Sequence, residues 1–263
     1  MEVNLRVVTI GDICMDVYPK LGKLSPGGNS VNVAVNMKNL GFDASFVGAV
    51  GQDDYGDRMI NSLTEAGIDI SHLRTLPGST ASIVVDLVNG ERVYGEYDEG
   101  VLADFELSDE DKAFIAAHDM IHSSIWGHME KDLISLPGGP ILSFDFAEFL
   151  DHEILDRIAP SIHYAFFSYT QDDLFIRDFS VRSHARGCRA VIVTLAENGS
   201  LAYDGTGIYK TGIIPVEVVD TLGAGDAFIA GFMSGILQKY EIDACLQLGA
   251  IKASETLTRI GAW

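Results

Sequence analysis

Asp220-Thr221-Leu222-Gly223-Ala224-Gly225-Asp226 stands where the hydrophobic period of the chain changes. Before it runs the β-branched stretch Ile213-Ile214-Pro215-Val216-Glu217-Val218-Val219. After it Phe228, Ile229, Phe232, Met233, Ile236 and Leu237 recur at helical spacing. The Gly-Ala-Gly run therefore lies where a loop turns into a helix. Small residues there let backbone N–H groups approach an anion closely, and the helix dipole favours negative charge at that end. A carboxylate repels an anion, so Asp226 suits simple anion binding poorly. It suits a base that takes a proton from a hydroxyl attacking a phosphorus held by those amides. The same residues also read as an ordinary Gly-rich helix start with an acid in its first turn.

Outward from this run the chain alternates strand-like and helix-like segments. Val7-Val8-Thr9-Ile10, Ser45 to Val50, Ile141 to Phe144, Tyr164 to Phe167 and Ala190 to Thr194 read as buried strands. Helices are expected over Asn29 to Leu40, stopped by Gly41, and over Tyr55 to Ala66, stopped by Gly67, with another capped by Ser108 and Asp111. Such βα alternation with apolar strands implies a parallel sheet covered on both faces, with ligands at the carboxyl ends of the strands. Residues 80–88 and 92–97 flank Asn89-Gly90, a hairpin signal inside the α/β pattern, open to reading as edge decoration or as a lid. No repeat or linker marks a second domain, so residues 1–263 are expected to form one.

Composition narrows the function classes. A formal net charge of −20 over 263 residues argues against nucleic-acid binding and against anionic membranes as partners. Cys14, Cys188 and Cys245 form no CxxC pair, which fits a reducing cytosol and offers no zinc motif. Met-Glu-Val-Asn-Leu-Arg leads straight into a strand and no membrane-length apolar run follows, so a cytoplasmic protein is expected.

Several strand ends carry ligand-type residues. Gly27-Gly28-Asn29-Ser30-Val31-Asn32 opens a helix with backbone and amide donors, suited to a polyhydroxylated ligand or to capping alone. Asp12 follows Gly11 where the first strand ends and is placed to accept from ligand hydroxyls; Asp16 is open to a solvent-facing reading as well. Thr194 to Gly199 leads into the returning strand Ser200 to Tyr203, either as a hairpin turn or as backbone along a nucleotide. No GxxxxGK[ST] occurs, and no GxGxxG follows the first strand. His118, His122 and His128 lie around Trp126 without metal-ligand spacing, so a structural or substrate-facing role is expected over zinc.

Together these elements resemble the ribokinase-like, or PfkB, family of small-molecule kinases. Gly27-Gly28-Asn29…Asn32…Ala34, continuing through Leu40-Gly41 and Val47 to Gly56, resembles its N-terminal pattern, and Asp220 to Asp226 its DTxGAGD pattern. The resemblance implies a three-layer α/β sandwich with a mostly parallel central sheet and a small β lid from about residues 13–26 and 80–100. It implies Mg2+-ATP as donor, a monovalent cation as a further ligand, and a homodimer formed through the lid. Asp226 would be the base, and the amides of Gly223, Ala224 and Gly225 would hold the phosphoryl group in flight. Asp12, Gly28, Asn29 and Asn32 would hold the sugar. Thr194, Ala196, Asn198 and Gly199 would run along ATP, with Ala250 and Ser254 beside the adenine.

Two positions depart from the pattern. Ala196 replaces the middle glycine of T-x-G-x-x-G, and Ser168-Tyr169-Thr170-Gln171 replaces the Asn-x-x-Glu associated with magnesium, leaving Asp172 or Asp173 to compensate. Gly95 to Phe105, Ile125-Trp126-Gly127-His128 and Gly261-Ala262-Trp263 resemble the fructosamine-phosphorylating members of the family. The expected reaction is phosphorylation of a primary hydroxyl of a ketose-like sugar, the 6-hydroxyl of a fructosamine. Glu96, Asp98 or Glu99 would meet its amine, and Trp126 would pack on a sugar face. Other sugars, a nucleoside, or a silent sugar-binding sensor are the alternatives.

Overall fold

The computed structural model describes residues 5–88, 91–136 and 138–263. The chain opens with β1 (Arg6–Ile10), then β2 (Cys14–Tyr18), β3 (Lys23–Gly27), α1 (Asn29–Asn39), β4 (Asp43–Gly51), α2 (Asp54–Glu65) and β5 (Asp69–Leu76). A hairpin follows, β6 (Ser82–Val88) and β7 (Glu91–Asp98); its Asn89-Gly90 turn lies outside the described residues. Next come α3 (Asp109–Ala116), β8 (Met120–Ser124), α4 (Glu130–Ser135), β9 (Ile141–Asp145), α5 (Glu153–Ile158), β10 (Tyr164–Ser168) and α6 (Leu174–His184). The last elements are β11 (Ala190–Thr194), β12 (Ser200–Tyr203), β13 (Ile208–Thr211), α7 (Ala224–Leu237) and α8 (Ile242–Leu257).

Nine strands form one sheet in the order β13-β12-β11-β10-β9-β8-β1-β4-β5. All neighbours from β11 to β5 pair in parallel; among the described strands of this sheet β12 alone is reversed, pairing antiparallel with both β11 and β13. The inner strands β1, β4, β9, β10 and β11 are buried on both faces, which is why they read as apolar runs, whereas the edge strand β5 is only half-buried. Successive side chains on a strand point to opposite faces. Val7 and Phe166 accordingly join Met37, Phe232 and Met233 in one core, whereas Val8 and Phe167 join Met59, Phe146 and Phe179 in the other. The result is the expected three-layer α/β sandwich.

A second sheet, in the order β3-β2-β6-β7, is built from the two segments expected to form the lid. Ser108 accepts from the amide of Asp111 and the Asp111 side chain from that of Ser108, the reciprocal cap read from their spacing. The β-branched stretch 213–219 forms no strand: it is irregular and largely exposed. Asp16, open to a solvent-facing reading, is instead buried in β2 with 5% exposure, because β3 packs Gly27 directly on its carboxyl.

Candidate active site

β1 ends at Ile10, and the chain passes through Gly11 and Asp12 to touch the start of α1. Gly28 has φ +105°, and a Cβ there would lie 2.7 Å from the Asp12 carbonyl oxygen. That contact sets Asp12 on the positive end of α1, where its Oδ2 accepts from the Asn29 amide at 2.5 Å. One turn later Asn32 shares a helix face with Asn29. The Asn29 Nδ2 donates to Asp226 Oδ1 at 2.6 Å and to Asp145 Oδ2 at 2.7 Å. The Asn32 Nδ2 donates to Asp226 Oδ2 at 2.7 Å. Both oxygens of Asp226, in the first turn of α7, are thereby held by side-chain amides.

The amides are themselves oriented from behind. Burial pushes the His122 imidazole down to about 3, so the ring is neutral. Its Nε2 stands 3.3 Å from Asn29 Oδ1 and its Nδ1 2.9 Å from Ser143 Oγ. Since the amide oxygen can only accept, we assign the ring proton to Nε2.

Among the described residues, no lysine or arginine pairs with Asp12, Asp145 or Asp226. Burial pushes Asp12 and Asp145 up to about 6 each. It pushes Asp226 well above the usual carboxylate range, opposed by the Asn32 amide and reinforced by Asp145, Asp12 and Asp16. A carboxylate denied solvent and set beside other acids binds a proton avidly, the property a general base uses.

Beyond the glycine loop lies a cavity of about 660 Å³, bounded by Ala224 and Gly225 at one end. Its walls include Thr194, Ala196, Gly199, Ala250 and Ser254, together with Ile213 to Val216 of the irregular stretch. A Cβ on Gly225 would meet nothing within 4 Å, so the first turn of α7 opens into free volume. Its early amides have no partner one turn back; that of Ala224 reaches only the Thr221 carbonyl, at 3.4 Å. An apolar cavity running to a helix N-terminus fits a nucleotide with its phosphates at the glycines.

Several of the expected residues have protein partners or stand apart from this cavity. Asn198 is absent from the cavity wall, because its side chain donates to the Thr170 carbonyl at 2.8 Å. Glu96 is exposed on β7, and Asp98 is occupied by the Gly100 amide and Ser79 hydroxyl at 2.9 and 3.3 Å. Asp172 and Asp173, next to Gln171, are both engaged by protein partners. Arg177 and Lys210 hold Asp172 down at about 2, and Asp173 caps α6 by accepting from Ile176 at 2.9 Å. Trp126 stands 40% exposed, edge-on to Phe149 at 5.3 Å. The three histidines part: His118 bonds Ser45, His122 lies beneath Asn29, and His128 faces Glu99 at 3.7 Å.

Asp145, which no motif names, meets Asn29 beside His122 of the histidine cluster, and Trp263 of the Gly261-Ala262-Trp263 stretch meets Asn32. Asp145 follows an apolar strand directly, the signal that singled out Asp12, and was legible in the same way. For His122 and Trp263 no local pattern shows the contacts with Asn29 and Asn32.

Ala196 takes φ +49°, the left-handed conformation that favours glycine. Such a conformation costs about 1–2 kcal/mol in an L-residue. Ala196→Gly is expected to raise stability by about 0.5–1 kcal/mol after the added unfolded-chain entropy is subtracted. Urea unfolding measures this, and a destabilised variant would contradict the strain.

A buried acid in the first turn of a helix that opens onto a cavity suits phosphoryl transfer. The chain belongs to the pfkB family of carbohydrate kinases, whose model matches residues 4–131 and 177–263. It is 42% identical to fructoselysine 6-kinase of Escherichia coli over 98% of this chain and 99% of that one. It is 31% identical to fructosamine kinase FrlD of Bacillus subtilis, over 98% and 93%. The fold is that of ribokinase from Arabidopsis thaliana, solved with ribose and ATP, at TM-score 0.88 and 21% identity, covering 98% of this chain and 94% of that one. The protein is therefore an ATP-dependent carbohydrate kinase.

Proposed function

We propose that this kinase phosphorylates the 6-hydroxyl of a fructosamine such as fructoselysine, with Asp226 as general base. The observation that carries the chemistry is the Asp226 carboxylate, gripped by Asn29 and Asn32 on one side of the glycine loop with the nucleotide cavity on the other. The hydroxyl proton passes to Asp226 as the hydroxyl oxygen bonds to the γ-phosphorus and the bond to ADP breaks. Amides of Gly223, Ala224 and Gly225 meet the charge on the phosphoryl oxygens. Asp12, Gly28, Asn29 and Asn32 bind the sugar. Mg2+ would enter with the triphosphate and neutralise its charge.

The choice of substrate rests on the two fructosamine-type relatives. Of the three lid acids, Glu99 is the one paired at the rim with His128, two residues from Trp126. A substrate ammonium would replace His128 as the partner of Glu99. A coupled ADP-release assay across fructoselysine, fructose, ribose and a nucleoside is expected to give fructoselysine the highest kcat/KM. Glu99→Gln should lower that value about three- to fivefold, the worth of a partly exposed ion pair, and leave fructose unchanged. Better turnover of another acceptor would overturn the substrate, and equal losses on both sugars would overturn the ammonium contact.

Leu21 and Val93 stand 53% and 50% exposed on the lid, which supports a homodimer formed there. Sedimentation at micromolar concentration should give twice the chain mass; a monomer would refute it. No helix among the described residues is long and apolar enough to cross a membrane. Three free, buried cysteines fit a cytosolic enzyme.

A further inference from the structure

The indole Nε1 of Trp263 donates to Asn32 Oδ1 at 2.9 Å, across 231 positions of sequence. An indole N–H only donates, so the Asn32 amide has one allowed orientation: oxygen toward Trp263, nitrogen toward Asp226. The flipped amide would set donor against donor at the indole and acceptor against carboxylate at Asp226. Trp263 is in turn held through its two neighbours. Ala262 is buried against Gly223, where a Cβ would come within 2.4 Å of the Ala262 Cβ. Gly261 donates its amide to Asp220 Oδ2 at 3.0 Å, while Asp220 Oδ1 accepts from Leu222 at 3.0 Å. One short segment thus braces both the start of the glycine loop and the amide behind the base.

We propose that Trp263 is a positioning residue for phosphoryl transfer, acting through Asn32 to hold the Asp226 carboxylate in line for the acceptor hydroxyl. The proposal rests on Asp226 being the base. Trp263 does for Asn32 what His122 does for Asn29, so each amide that grips the carboxylate is itself gripped from behind. Asp220 serves in this arrangement as a clamp for the loop.

Trp263→Phe keeps a large ring and deletes the N–H. Its kcat is expected to fall about tenfold, the worth of one ordinary hydrogen bond, with KM for sugar and ATP within about twofold. The acid limb of the kcat–pH profile should move to higher pH. A loosened amide favours the charged carboxylate less, while Asp12, Asp16, Asp145 and neutral His122, the other groups around it, are unchanged. A segment that merely packs would instead lower the melting temperature and raise both KM values without moving that limb. In an Asn32→Ala background, Trp263→Phe should have no further effect on kcat. An unmoved acid limb, or a full tenfold loss in the Asn32→Ala background, overturns the proposal. Asp226→Asn run alongside keeps the two readings apart. An active Asp226→Asn enzyme refutes the base itself, whereas an inactive one with an additive cycle refutes only the role of Trp263.

Discussion

Asp226→Asn is expected to lower kcat by about 10³-fold, equivalent to about 4 kcal/mol of transition-state stabilisation. The asparagine matches the aspartate in shape but cannot take a proton from the acceptor hydroxyl. Because the nucleotide cavity lies across the glycine loop from this side chain, KM for ATP should stay within about threefold. The carboxylate accepts from both Asn29 and Asn32, at 2.6 and 2.7 Å. An asparagine offers an oxygen to only one of them, so sugar binding is expected to weaken modestly while the melting temperature changes little. Steady-state kinetics and isothermal titration separate these quantities. A variant with near-normal kcat would leave no room for a general base at this position, and the fold alone would then be left to explain the acid.

Gly223→Ala is expected to cost about 2–5 kcal/mol of stability and about 10²-fold in kcat. Two physical terms add in the folded state. Gly223 has φ +70°, which strains an L-residue by about 1–2 kcal/mol. Its new Cβ would also stand 2.4 Å from the Ala262 Cβ and 2.8 Å from the Ala262 Cα, an overlap worth about 1–3 kcal/mol. Relief comes by moving either the glycine loop or residues 259–263. The first displaces the amides proposed to face the phosphoryl group, and the second withdraws Gly261 from Asp220 and Trp263 from Asn32. A shift of about 1 Å in reacting groups is enough for a 10²-fold loss. Adding Ala262→Gly removes the collision but keeps the backbone strain, so the double variant should recover about half the lost stability in urea unfolding. Wild-type stability and turnover for Gly223→Ala would show that the loop is free of the segment packed on it.

The resemblance to sugar kinases was carried by residues close in sequence to strand and helix ends, which is where an α/β sheet keeps its ligand groups. Asp12 and Asp226 were readable because each acid interrupts an apolar pattern at such an end. Asp145 has the same signature and shares the Asn29 amide with Asp226 at 2.7 Å. His122 reads differently, since a histidine inside an apolar strand is indistinguishable from a satisfied core residue until its ring is seen beneath Asn29. The Ser168 to Asp173 segment marks the opposite limit. Its carboxylates looked available in sequence, and only the neighbouring Arg177 and Lys210 reveal that Asp172 is already committed.

By itself the sequence determined the layered α/β architecture, the position of the glycine loop at a helix start, and the acid within it. Hydrophobic period, caps and glycine placement are local properties, and each element expresses them within a few residues. Tertiary structure alone decided which amides orient that acid and what orients the amides in turn. Asn29 and Asn32 on α1, with His122, Asp145, Asp226 and Trp263, come from five separate places in the chain. Their meeting depends on strand order and on a segment folding back over the loop, which no local pattern encodes.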